Sequence, residues 1–229
     1  MRLMVCIALL SMFAVVLLTP VSAHPLEGSN AAFVQGVDGP VPGPFMYLGA
    51  KHMVTGYDHL LFLVGVIFFL YRVKDVILYV SLFTLGHSIT LLVGVFTGVE
   101  VNPYVIDGII GLSIVYKAFE NINGFERVLK FRPNTKVAVL VFGLFHGLGL
   151  ATKLQEFTVT QKGLVANMLS FNIGVELGQM FALTGVLIAF TYWRMHRSFF
   201  HHAFITNTAL MASGFIFTGY QLFGYVFYP

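Results

Sequence analysis

The chain has 229 residues, of which 57% are hydrophobic and only 10% are charged. Soluble domains carry about 25% charged residues, so the composition excludes an ordinary water-soluble fold and points to lipid as the solvent. The formal charge of +3 is small and scattered. No basic run interleaves with aromatics, so nothing here fits a nucleic-acid partner.

The first 23 residues read as a secretory signal peptide. Met1-Arg2 is a short basic start, Leu3 to Leu18 an apolar stretch, and Val21-Ser22-Ala23 a small-residue cleavage signal. An uncleaved first helix is the alternative. Cys6, the one cysteine, falls inside this segment, which leaves the mature chain without a thiol for a disulfide or a metal. Cleavage after Ala23 makes His24 the new N-terminus, where an amino group and an imidazole on one residue can chelate a metal together. Pro25 removes the next amide N–H and weakens that arrangement. Residues 24–44, rich in Gly and Pro toward their end, read as an extracytoplasmic linker.

Six apolar stretches follow, each near the ~20 residues that a helix needs to cross a bilayer. They are 45–71, 75–98, 101–122, 136–154, 163–193 and 203–227. The predicted fold is all-α, a six-helix membrane bundle over residues 45–229. The fifth stretch exceeds what a crossing requires and is expected to tilt, or to bend near Gly174, Gly178 or Gly185. Basic residues gather in the first connection (Arg72, Lys74), the third (Arg127, Lys130, Arg132, Lys136) and the fifth (Arg194, Arg197). The second has none and the fourth only Lys153 and Lys162. The positive-inside rule puts the odd-numbered connections in the cytoplasm and both mature termini outside.

A charged group at mid-bilayer costs ~2.5–3.5 kcal/mol on the insertion scale, so such residues are rare and usually functional. The first stretch holds His52, Asp58 and His59, the second His87, and the third Asp107, Lys117 and Glu120. The fourth holds His146, and the fifth Asn172, Glu176 and Gln179. Phe83-x-Leu85-x-His87 and Phe142-x-Leu144-x-His146 share one pattern. At ~1.5 Å rise per residue, His87 and His146 sit ~15–18 Å from the cytoplasmic edge, near the midplane. His59 and Glu176, counted from the other side, reach a similar depth. Imidazoles and a carboxylate from four helices in one layer are a donor set for a transition metal, or a proton pathway. Asn172, Glu176 and Gln179, at i, i+4 and i+7, are expected to form one inward-facing polar stripe.

His52 and His59 are seven residues apart, ~10.5 Å along a straight helix, which is too far for one ion to bridge. Either His52 is an outer station above a deeper His59, or the helix breaks at Gly56 and the two converge. The depth layering favours the two-station path. Asp58 points ~100° away from His59 and suits orienting a neighbouring imidazole.

Each polar residue also has an ordinary role to weigh. A lone intramembrane histidine commonly just hydrogen-bonds a neighbouring helix; four of them with Asp58 and Glu176 at matching depth favour an ion path. Lys117 and Glu120, at i and i+3, read as a structural ion pair with a snorkelling lysine. His196, His201 and His202 read as interfacial, and Asp107 has no assigned role beyond support. Met53, Met168 and Met180 are soft donors that keep copper open, although packing is the usual role of such residues.

In HMVTGYDHLLF, FTLGHSITLL, GLSIVYKAFEN, FGLFHGLGLA and FNIGVELGQ, with His24-Pro25 after the signal, the sequence resembles the HupE/UreJ family of hydrogenase and urease accessory membrane proteins. These pieces run in order from His24 to Gln179. The resemblance implies a multi-pass protein of the bacterial inner membrane that carries nickel, or sometimes cobalt, toward metalloenzyme assembly. It carries the family's histidine and acidic positions onto His52, Asp58, His59, His87, His146 and Glu176. Three positions depart from the expected pattern: Asp107 stands for Glu, Lys117 for an apolar residue and Leu150 for Phe.

The leading functional expectation is a divalent-metal permease rather than an enzyme. Its cargo would be nickel or cobalt, with copper or zinc also compatible with the donors. No GxxxxGK[ST] nucleotide motif is present, so transport would run downhill or be coupled to another ion. Two other classes stand beside it. One is an intramembrane metallohydrolase with Asp58 or Glu176 as base. The other is an accessory or metal-loading subunit of a larger membrane metalloenzyme complex. The expected partners are the ion, the bilayer, and a metalloenzyme or its maturation machinery.

Overall fold

The computed structural model describes Val34 and residues 36–155 and 162–227, and it shows no strand among them. The expected signal peptide over 1–23, with Cys6, and His24 lie outside the described residues. The principal helices are α1 (Pro42–Thr55), α2 (Tyr57–Ile67), α3 (Val73–Thr97), α4 (Pro103–Asn121), α5 (Thr135–Gln155), α6 (Leu164–Arg194) and α7 (Phe199–Phe227). A π-helical turn, Phe125–Leu129, lies between α4 and α5.

Local chemistry sets several of these ends. The Asn102 side chain accepts from the N–H groups of Tyr104 and Val105 at 3.0 and 3.4 Å, and Pro103 opens α4. Asn134 does the same for α5, accepting from Lys136 and Val137 at 3.1 and 3.4 Å. Such caps satisfy amides that have no partner inside the helix. The last residues of the expected linker are docked: Asn167 accepts from the Val41 N–H at 2.7 Å and donates to the Gly39 carbonyl at 3.0 Å. That clamps the chain onto the first turn of α6 as it enters α1.

Among the described residues, four helices are long and apolar enough to cross a bilayer: α3, α5, α6 and α7. The first expected crossing is divided at Gly56 into α1 and α2, and α4 carries Asp107, Lys117 and Glu120 within its 19 residues. Helix α6 runs unbroken past Gly174, Gly178 and Gly185.

The helices pack mainly as three pairs, α1 with α6, α3 with α5, and α4 with α7. Glycine makes each contact close. Gly174 meets the backbone of Met46 and Ala50, and Gly178 that of Ala50, so α1 and α6 run parallel. Gly143 meets the Phe83 backbone and Gly147 that of His87, so α3 and α5 also run parallel. Gly111 meets Thr218 while Gly224 meets Tyr104, which makes α4 and α7 antiparallel. A Cβ at Gly143, Gly147 or Gly174 would overlap a carbonyl oxygen of the partner helix, so only glycine permits these approaches.

At one end of the bundle the Arg194 guanidinium, closing α6, donates to the carbonyls of Ile67, Phe68 and Leu70 at 2.7, 2.6 and 2.9 Å. These carbonyls lie where α2 ends, the Ile67 oxygen also accepting from the Leu70 N–H at 3.0 Å, and a cation there also suits the helix dipole.

Candidate metal centre

The centre begins with the interruption at Gly56. This residue takes φ −73° and ψ 99°, and helical conformation resumes at Tyr57. Its N–H still donates to the His52 carbonyl at 2.8 Å, and its own carbonyl accepts from Leu60 at 3.1 Å. Two backbone hydrogen bonds thus span the break. The consequence is a correction to the two-station path. His52, in the last turn of α1, and His59, in the first turn of α2, converge until their ring centroids are 5.0 Å apart. A Cβ at position 56 would lie 3.0 Å from the His52 carbonyl oxygen and 3.2 Å from both Asp58 Oδ1 and His59 Nδ1. Space beside the His52 carbonyl and the Asp58–His59 pair, rather than an unusual φ, favours glycine here.

The parallel pair α3 and α5 delivers the other two histidines. Gly147 seats against the His87 backbone, and the Thr90 hydroxyl donates across the pair to the Leu144 carbonyl at 2.6 Å. The His59 ring stands 4.8 Å from that of His146 and 5.6 Å from that of His87, centroid to centroid. All four imidazoles are buried: His52 is 2% exposed and the other three are 0% exposed. His52, His59 and His87 each offer a nitrogen within 4.8 Å of the others. Two nitrogens bound to one ion at ~2.0–2.1 Å are about 3.3–4.2 Å apart, so small side-chain rotations bring these three onto one centre.

The hydrogen bonds around the rings fix which nitrogens can bind. His146 Nδ1 lies 2.7 Å from the Phe142 carbonyl, which only accepts, so Nδ1 carries the proton and Nε2 keeps its lone pair. His59 Nδ1 likewise donates to Asp58 Oδ1 at 3.0 Å. Asp58 therefore sits behind a candidate ligand ring, where a carboxylate sets the tautomer and raises basicity. His146 Nε2 and both nitrogens of His87 are buried with no hydrogen-bond partner among the described residues.

The expected inward stripe on α6 is corrected at Glu176. Asn172 is 8% exposed and Gln179 1% exposed, whereas Glu176 lies on the outer surface of the bundle with Ile173, Leu177 and Met180. The buried face of α6 is centred on Phe171, Val175 and Gly178. In projection, Asn172 lies at the margin of that face and Glu176 about 40° farther round. Glu176 does not join the histidines. Asn172 and Gln179 instead tie α6 to α3, accepting from Ser88 at 3.1 Å and from Thr84 at 2.6 Å.

Asp107 pairs with Lys153 of α5 at 3.0 Å, a partner 46 positions away that nothing in the local sequence announces. The Lys117 to Glu120 ion pair forms at 2.7 Å, but Lys117 is 7% exposed and its stem packs on Gly65, so it is buried rather than snorkelling. Met53 and Met168 are core residues at 0% exposure, and Met180 faces outward at 63%.

A family described as HupE / UreJ protein matches this chain over residues 29–228. No curated protein matches, and no solved structure does.

Proposed function

The chain belongs to the HupE/UreJ family, and from that membership and the buried imidazole cluster we propose that it is a permease for a divalent transition metal, nickel or cobalt, in a bacterial inner membrane. One observation carries the proposal. His87 and His146 keep imidazole nitrogens buried and without hydrogen-bond partners among the described residues, beside His59 and His52. An unsatisfied buried polar atom costs about 1–3 kcal/mol, and three on two adjacent rings are hard to retain without a ligand. Imidazole suits nickel, cobalt, zinc and copper(II), and the sequence resemblance implies the first two.

Six crossings fit this reading, with α1 and α2 counted as one and α4 as another. In an alternating six-pass chain, passes 1 and 5 run parallel, passes 2 and 4 run parallel, and passes 3 and 6 run antiparallel. The glycine contacts in the three pairs have those directions. The basic connections then lie inside and the mature termini outside. The ion reaches His52 and His59 and is held between them and the α3–α5 histidines, with Asp58 fixing the His59 tautomer. His24 stays in the proposal as a further outside donor, and a hydrogenase or urease maturation system as the recipient.

Reconstituted protein should carry Ni²⁺ or Co²⁺ into liposomes, and His59→Ala or His146→Ala should abolish the flux. Undiminished flux in both variants would overturn the proposal.

A further inference from the structure

The histidine cluster rests on a layer of aromatic rings. Phe83 lies 6.0 Å from His59 and 5.0 Å from His146, and Phe62 lies 5.4 Å from His146, centroid to centroid. Phe62 in turn meets Phe83 at 5.4 Å and Phe142 at 5.7 Å. Phe62 and Phe83 are 0% and 1% exposed. Along α3, Phe83 is one turn nearer the helix start than His87, about 6 Å. The same offset separates Phe142 from His146 on the parallel α5. Three rings thus form one stratum, on the side of the cluster toward the starts of α3 and α5.

Beyond that stratum lies a second group of polar side chains. Glu120, one residue from the end of α4, receives a hydrogen bond from Lys117 at 2.7 Å on one carboxylate oxygen and one from Thr135 on the other. Thr135 is the first residue of α5, and Tyr79 of α3 sits beside it. The Glu120 side chain is 16% exposed and that of Lys117 9%. Measured along α5, Thr135 is about 10 Å beyond Phe142. Thr135, Phe142 and His146 therefore follow one another along α5, and Glu120 of the neighbouring α4 meets that helix at its first residue.

We propose that Glu120 with Thr135 is a second cation station, and that Phe62, Phe83 and Phe142 are the gate separating it from the histidines. The inference rests on the permease reading. The chemistry of the two stations differs in a useful direction. A carboxylate and a hydroxyl bind first-row divalent ions more weakly than an imidazole cluster does. The Lys117 ammonium occupies the carboxylate in this structure, and its charge opposes an arriving cation. An ion passed across the phenylalanine layer is therefore held loosely and released. The layer itself keeps water and ions from leaking between stations, because three apposed rings offer no polar atom to either.

The test separates binding from passage, with Co²⁺ as the probe. Its d–d absorption reports occupancy of the histidine site in purified protein, and a chelating dye inside liposomes reports flux. Glu120→Gln should leave the cobalt spectrum and affinity unchanged while slowing flux about tenfold, roughly 1.4 kcal/mol in barrier height. Thr135→Val, which keeps the shape of the side chain, should slow flux in the same sense, and it decides the question if Glu120→Gln does not fold. Phe142→Ala should raise flux or make it leak. Flux at the wild-type rate in the folded Glu120 or Thr135 variant would overturn the second station, as would a changed cobalt spectrum. Wild-type protein that neither binds nor moves cobalt would overturn the permease reading instead.

Discussion

The rings of His52 and His59 meet at 5.0 Å and 79° although they are seven positions apart, because a single extended residue, Gly56, stands between two helices. Substitution there tests the geometry directly. Gly56→Ala puts a methyl group 3.0–3.2 Å from the His52 carbonyl, Asp58 and His59. Something must shift by a few tenths of an ångström, and the Asp58 carboxylate and the His59 imidazole are the side chains that lie closest. We expect the apparent Co²⁺ affinity to fall about tenfold, or ~1.4 kcal/mol, in a titration followed by d–d absorption, with the helical content unchanged.

Asp58 and Glu176 should behave in opposite ways, although both are carboxylates at membrane depth. Asp58→Asn removes the charge behind His59 Nδ1 and should weaken metal binding about 10–100-fold, the usual cost of losing such a partner. Glu176→Gln should leave the affinity as it was, since Glu176 faces outward. Isothermal titration of the two variants side by side makes the comparison. A large loss in Glu176→Gln would contradict the placement described above.

The glycine contact between α3 and α5 predicts a steep effect on stability. A side chain at Gly147 meets the His87 carbonyl, whereas one at Gly185 meets nothing within 4 Å. Gly147→Val should destabilise the bundle by about 3 kcal/mol, the upper range of overpacking. Gly185→Val should stay within about 0.5 kcal/mol, as exposed substitutions usually do. Thermal unfolding in detergent, read by circular dichroism, separates the two.

Arg194 holds the end of α2 through three carbonyls. Arg194→Met keeps the aliphatic stem and removes every donor, so it should cost about 1–3 kcal/mol, the scale of hydrogen bonds to charged groups. The loss should appear as a lower Tm, and as faster hydrogen exchange confined to residues near Ile67 and Leu70.

Much of this arrangement is legible in the sequence, and the reasons are specific. The elements stand out because lipid-crossing helices need long apolar runs. His87 and His146 could be paired because the same five-residue pattern recurs on helices of one direction. The convergence of His52 and His59 is not legible in the sequence, since one ψ angle at Gly56 decides it and the sequence allows either value. Only about 40° of helical projection separates Glu176 from the buried Asn172, and the margin of a buried face depends on which helix covers it. Asp107 with Lys153, and Thr84 with Gln179, are contacts between distant helices, and a single sequence carries no record of such pairings.

The histidines are mounted on two helix pairs, linked to each other by the Thr84–Gln179 and Ser88–Asn172 hydrogen bonds. His87 and His146 ride on α3 and α5, fastened to each other through glycine, while His52 belongs to the α1–α6 pair and His59 to the short helix hung from it. On the permease reading, such a centre would act as a clamp with two jaws. With the jaws together, three or four imidazoles would share the ion; with them apart, each would keep at most two. Grip would then follow the separation of the two pairs, and a rigid shift would let the ion go without protonating any ligand.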